Sequence, residues 1–132
     1  DVIHPYFAHF YKEDEQCALL VAEYNDDLEI FHRKFVRTLE KYKDYRAFEF
    51  KDVPEDTFNV SCLPWVHYKS FDIHVFDEGK YLAPVVTWGK YIQNNKRIVI
   101  PLSFNIHHAA ADGYHLSRFF VELQKYMDSF KN

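Results

Sequence analysis

Hydrophobic periodicity switches three times along this 132-residue chain, and the switches set the order of its elements. Residues 7–24, FAHFYKEDEQCALLVAEY, read as two strands around the charged turn YKEDEQ. From Leu28 the period lengthens. Leu28, Phe31, Phe35, Leu39 and Tyr42 recur at steps of three and four, which is the apolar stripe of a helix. Asn25 or Asp26 is placed to cap that helix, and KDYRAF to end it. After the loop KDVPEDT the period shortens again. FNVSCLPW is a strand stopped by Pro64, and SFDIHVF alternates with Phe71, Ile73 and Val75 on one face. DEGK is a hairpin turn, and APVVTWGKYIQ and RIVIPLSFNIHH are strands joined by the tight turn NNK. The last switch, near Gly113, opens a second helix with Leu116, Phe119, Phe120, Leu123 and Met127 inward. Strands, helix, strands, helix is an α+β order with a mixed, mostly antiparallel sheet and packed helices.

Bulk properties exclude several function classes. A net charge of −4 without a basic block argues against non-specific nucleic-acid binding. No run approaches the ~20 apolar residues of a membrane span, and no secretory signal opens the sequence. Cys17 and Cys62 have neither metal spacing nor a disulfide-framework count, and both sit in apolar runs, which predicts buried free thiols and a reducing, cytoplasmic setting. Aromatics make up 19%, with 13 Phe and 10 Tyr, enough for a dense core or an aromatic-lined pocket.

The last strand-to-helix junction, PLSFNIHHAAADGYHLSRFF, concentrates the chemistry. A histidine in an apolar strand is commonly a hydrogen-bonded core residue. His108 with Asp112 and His115 is a conceivable ligand set, although the spacing is no established zinc pattern. As a catalytic base, a histidine of ordinary pKa near 6.5 suits neutral pH. The strand would hold it rigidly, the alanines leave room above the ring, and Gly113 permits the turn. On a strand, His107 and His108 would face opposite sides.

HHAAADG resembles the HHxxxDG signature of chloramphenicol acetyltransferases, a signature shared with dihydrolipoyl acyltransferase cores and peptide condensation domains. NVSCLPWVHYKSFDIHV, LAPVVTWGKY and RIVIPLSFNIHHAAADGYHLSRFFVELQ are similar to segments of the chloramphenicol acetyltransferase family, in the family's order and without gaps from Phe58 onward. The resemblance implies the CoA-dependent acyltransferase fold, with residues 1–132 a single acetyltransferase domain lacking the family's N-terminal segment. It implies acetyl transfer from acetyl-CoA to a hydroxyl of chloramphenicol or a related acceptor. The attack is direct, in a ternary complex, with acetyl-CoA as co-substrate and no tightly bound cofactor or metal. By the same resemblance His108 is the general base, Ser61 the oxyanion donor and Thr87 the holder of a water against the intermediate. Asp112 matches a structural aspartate that, in the family, steadies the turn by pairing with an arginine, and that arginine has no counterpart here. Trp65, Lys90 and Tyr91 match positions near the CoA channel, and Phe48, Phe71, Ile73, Val75 and Val85 match the acceptor pocket. A homotrimer with sites at its subunit interfaces is implied as well. Two departures fall at the acceptor: FAHF puts Ala8 where the family has threonine, and QCALL replaces a TFS segment. Another acceptor on the same fold, or a non-catalytic CoA-binding relative, are the competing readings.

Overall fold

A computed structural model describes residues 2–47, 53–74 and 77–130. Two short strands open it: β1, His4–Tyr11, and β2, Gln16–Val21. They pair antiparallel across the predicted charged turn, with Tyr11 opposite Gln16. Helix α1, Leu28–Lys41, follows. Its N-cap is Asp27, one residue beyond the two expected. The Asp27 carboxylate accepts from the backbone N–H groups of Glu29 and Ile30 at 2.9 and 3.0 Å. Asn25 instead accepts from the Asp27 N–H, so the polar run supplies both a turn and a cap.

Strand β3, Thr57–Leu63, ends at Pro64 as its sequence dictates. Strand β4 is Val85–Gly89, β5 Ile92–Asn94, β6 Arg97–Val99 and β7 Leu102–Asn105. Each of the two long strands expected here is therefore split. The NNK turn holds, with Asn95 at φ 55° between β5 and β6. Pro101, which has no N–H, separates β6 from β7, and its carbonyl accepts from Gly89 at the end of β4. SFDIHVF forms no strand over residues 71–74, and Val75 lies outside the described residues. Helix α2, Gly113–Ser129, closes the chain, capped by Asp112.

The main sheet runs β2-β1-β3-β4-β7, with β1, β3 and β4 parallel and the two outer pairs antiparallel. Including the β5–β6 hairpin, three of five strand pairings are antiparallel, so the sheet is mixed as expected.

Paired residues share a face and successive residues alternate. One apolar row, Leu20–Phe7–Val60–Val86–Phe104, crosses all five strands on one face. Both helices pack there. The Phe7 and Phe35 rings meet at 4.8 Å, and Phe104 and Phe119 at 4.5 Å. Phe7, Tyr11, Ala18, Leu20 and Ala22 form the buried core, with Phe31, Phe35, Leu39 and Tyr42 of the predicted stripe against it. Burying an aromatic or leucine side chain of this kind contributes about 1.5–3 kcal/mol. On α2, Leu116, Phe119 and Leu123 are half-buried, but Phe120 and Met127 are exposed, contrary to the stripe read from sequence. Cys62 is half-buried, while Cys17, at the start of β2, is exposed rather than buried as expected. The thiols are not bonded to each other.

Candidate active site

The second face of the sheet is polar at its centre. Ser61, Thr87 and Ser103 are cross-strand neighbours on β3, β4 and β7. The next row toward the His pair is Asn59–Val85–Asn105. These positions alternate with the apolar row, so the residues that hold the helices and those that build the polar strip are immediate chain neighbours.

Residues 64–74 and 77–84 cross this face as a strap, secured by side-chain and backbone bonds. The Tyr68 hydroxyl donates to the Thr87 carbonyl at 2.6 Å. The Lys90 N–H donates to the Val66 carbonyl at 2.8 Å. The strap lies so close to β4 that a Cβ on Gly89 would stand 2.7 Å from the Val66 carbonyl oxygen and 2.8 Å from the Tyr68 ring, which only glycine avoids. Asn59 donates its amide N–H to the Tyr81 hydroxyl, and Asn105 donates its own to Asp72. Asp72 also faces His74 at 3.2 Å. At the DEGK turn, Glu78 and Gly79 both take positive φ, 62° and 77°. The Lys80 N–H closes the turn onto Asp77.

Thr87 is fully buried, and its Oγ1 has no hydrogen-bond partner among the described residues. An unpaired buried hydroxyl is unfavourable, which singles Thr87 out as a candidate site residue. Ser61, beside it in the sheet, is half-buried. Ser61 also counts among the wall residues of an apolar cavity of about 420 Å³ between α1 and the sheet, with Phe7, Phe35, Val60, Cys62 and Trp88. Burial there pushes the Cys62 thiol above its ordinary pKa.

His107 and His108 fall beyond β7, in a turn closed by the Ala110 N–H onto the His107 carbonyl, and both are exposed. The strand-alternation argument therefore does not govern them. The turn sets their directions instead, and His107 Nδ1 accepts from the Ala109 N–H at 3.1 Å. His107 helps to wall a cavity of about 340 Å³ with Asp72, Ile73, Tyr81, Val85 and Asn105. That cavity unites two of the expected acceptor residues, Ile73 and Val85. Phe71 lies beside it in sequence, its ring 5.5 Å from Tyr68. Ser61, Thr87 and His108 are not in its wall. His108 stands three residues past the end of β7, while Ser61 and Thr87 lie on β3 and β4. Phe48 and Val75 lie outside the described residues.

Asp112 sits at the first turn of α2, where its carboxylate accepts from the N–H groups of Tyr114 and His115 at 3.0 and 3.2 Å. The same oxygen meets His115 Nδ1 at 2.7 Å. The His115 backbone bond, followed by its ring, holds the carboxyl below its ordinary pKa. Sequence reasoning missed this partnership, although the i, i+3 spacing carries its signal. Among the described residues no group of three His, Cys, Asp or Glu could hold a metal ion, so His108, Asp112 and His115 do not form a ligand set. Trp65, Lys90 and Tyr91 gather beyond the ends of β3 and β4. The Trp65 ring stands edge-on to Phe10 at 4.9 Å, and the Lys90 carbonyl lies 3.0 Å from His67 Nδ1. Trp65 and Tyr91 are exposed.

A mixed sheet with two helices on one face and a polar strip under a strap on the other is an acetyltransferase fold. A solved chloramphenicol acetyltransferase superposes with a TM-score of 0.78 at 20% identity, over 96% of this chain and 62% of that one. The dihydrolipoamide acetyltransferase of Azotobacter vinelandii superposes at 0.60 and 14% identity, over 96% of this chain and 54% of that one. The sequence model of the chloramphenicol acetyltransferase family matches residues 1–124, and the chain belongs to that family. It is 38% identical to the chloramphenicol acetyltransferase of Clostridium butyricum over 99% of this chain and 60% of that protein. To chloramphenicol acetyltransferase 3 of Escherichia coli it is 37% identical, over 98% of this chain and 61% of that protein. The chain thus spans about 60% of the length of these relatives.

Proposed function

We propose that this chain transfers an acetyl group from acetyl-CoA to a hydroxyl of chloramphenicol or a related acceptor, by direct attack within a ternary complex. The single observation that best supports this is Thr87: a fully buried hydroxyl, unpaired among the described residues and beside Ser61 in the sheet. In this reading Ser61 and Thr87 stabilise the oxyanion of the tetrahedral intermediate, Ser61 directly and Thr87 through a held water. A preorganised donor of that kind contributes about 2.7–4 kcal/mol to the transition state. His108 removes the acceptor proton as the oxygen attacks, an effect of about 10²–10⁴-fold. Asp112 keeps the turn after His108 in place through the N-terminus of α2. Trp65, Lys90 and Tyr91 contact the coenzyme. Phe71, Ile73 and Val85, with Phe48 and Val75, bind the acceptor.

The exposed position of His108 beyond the end of β7 favours a site completed by a neighbouring subunit, in a homotrimer. Exposed apolar residues on and just after the β5–β6 hairpin and on α2 supply surface for such an assembly: Ile98, Val99, Ile100, Phe120 and Met127, with half-buried Leu123, wall a groove of about 830 Å³. We take residues 1–132 as one acetyltransferase domain. Incubation with acetyl-CoA and chloramphenicol, following release of the CoA thiol, tests the activity. Thiol release that depends on chloramphenicol is expected, and its absence in a folded, assembled protein rejects the reading. Chloramphenicol is the leading acceptor; Ala8 and the QCALL segment, which depart from the family where the acceptor binds, motivate a panel of other hydroxyl compounds in the same assay.

A further inference from the structure

Asn105 is the last residue of β7, two positions before His107. Its side-chain amide donates to Asp72, which lies in the strap between Phe71 and Ile73. Asp72 in turn faces His74. All three residues, with Ile73, Val85 and His107, border the 340 Å³ cavity. The strap forms no strand over 71–74, so backbone pairing does not fix it there. Side-chain bonds do. The amide can act in only one sense: turned over, its oxygen would face a carboxylate oxygen, with no proton between them. Asn105 Oδ1 is buried without a partner among the described residues, so the amide is engaged through its NH₂ alone. Asn59 ties the returning limb of the strap through Tyr81 from the same cross-strand row.

We infer that the Asn105–Asp72 bond is a latch that positions the acceptor strap over the sheet, making Asn105 and Asp72 residues that set acceptor affinity. Neither needs to touch the reacting atoms. The latch fixes where Phe71 and Ile73 stand relative to Val85, and so the shape of the acceptor cavity. The inference rests on the acetyl-transfer reading above.

The test uses the full chain with three variants: Asn105→Asp, Asp72→Ala, and the exchanged pair Asp72→Asn with Asn105→Asp. Asn105→Asp sets two carboxylates against each other. Asp72→Ala removes the acceptor from an exposed position, where folding is not at stake. The exchanged pair keeps one donor and one acceptor in reversed order. Chymotrypsin cleavage after Phe71 is read alongside steady-state kinetics, since it reports the order of a segment without backbone pairing. Both single variants should speed cleavage there, and raise the chloramphenicol KM about tenfold with kcat held within about threefold, the size of one hydrogen bond to a charged group. The KM for acetyl-CoA should not move. The exchanged pair should restore slow cleavage and bring KM to within about threefold of the parent. Unchanged cleavage in Asp72→Ala overturns the latch. Faster cleavage with a fall in kcat alone, or no recovery in the exchanged pair, overturns its role in acceptor affinity. If the parent protein transfers no acetyl group, the functional reading fails, while the cleavage measurements still decide whether the latch exists.

Discussion

At the scale of single residues, the chemistry assigned to His108 and Ser61 separates cleanly in kinetics. His108→Ala should lower kcat by about 10²-fold or more while leaving acetyl-CoA binding near normal, because a general base acts on the proton in flight. A variant keeping more than about a tenth of the parent kcat would show that no base of the expected strength sits there. Ser61→Ala should lower kcat about 10²-fold with little change in KM, since its bond tightens only as the oxyanion forms. If KM rises instead and kcat holds, Ser61 binds the ground state and the oxyanion role is wrong. Steady-state measurement of both parameters for both substrates checks the pair. The candidates His108 and Ser61 come from contiguous motifs, HHAAADG and NVSCLPW, through the family resemblance. The pairing of Ser61 with Thr87 and Ser103 was not legible, because register is a property of two strands. Nor were the Asn105 and Asp72 roles, which depend on a segment that departs from its own pattern. Cys17 sits in an apolar run, yet at the start of β2 its side chain is exposed.

Elements were legible where one local rule dominated. The α1 stripe from Phe31 to Tyr42, the stop at Pro64 and the NNK turn stand as read, while Leu28 at the head of the stripe is exposed. SFDIHVF misled because alternation suits any half-covered extended chain, and over 71–74 this stretch is secured by side chains where a strand would use a backbone partner. The run RIVIPLSFNIHH broke at Pro101, a residue that ladder pairing cannot use. Helix α2 carries its own prediction through Asp112. Native hydrogen bonds hold that carboxyl below its ordinary pKa, so its contribution is present above the unfolded-state value and is lost as pH falls through the lower folded value. Thermal unfolding from pH 7 down to pH 3 should show a decline that is smaller in Asp112→Asn, and Asp112→Asn should be less stable than the parent at pH 7. Identical pH profiles for the two proteins would mean that the Asp112 carboxylate does not support the helix start.

For the whole molecule, the prediction concerns assembly. The exposed apolar groove between the β5–β6 hairpin and α2, and the exposed position of His108 beyond β7, make a trimer with shared sites the economical arrangement. One repeated heterologous contact closes three copies into a ring. Light scattering should give three times the chain mass. Mixing His108→Ala chains with Val85→Trp chains should recover activity that neither parent has, because some sites then draw an intact base from one chain and an intact pocket from another. Full activity from a monomer, or no recovery once subunit exchange is verified, would place base and pocket together on one chain.

The sheet also acts as a partition with separate duties on its two sides. Val60, Val86 and Phe104 belong to the helix-packing row, and their chain neighbours Ser61, Thr87 and Asn105 to the polar side. Substitutions on opposite sides share few partners, so their effects on folding should sum nearly independently. For directed evolution, this allows two libraries to be screened apart and then combined. One would harden the α1 interface around Phe7, Phe35 and Leu20. The other would diversify strap positions 71–74. The two sides would then answer to different selections, and an improvement in durability would leave the choice of acceptor largely untouched.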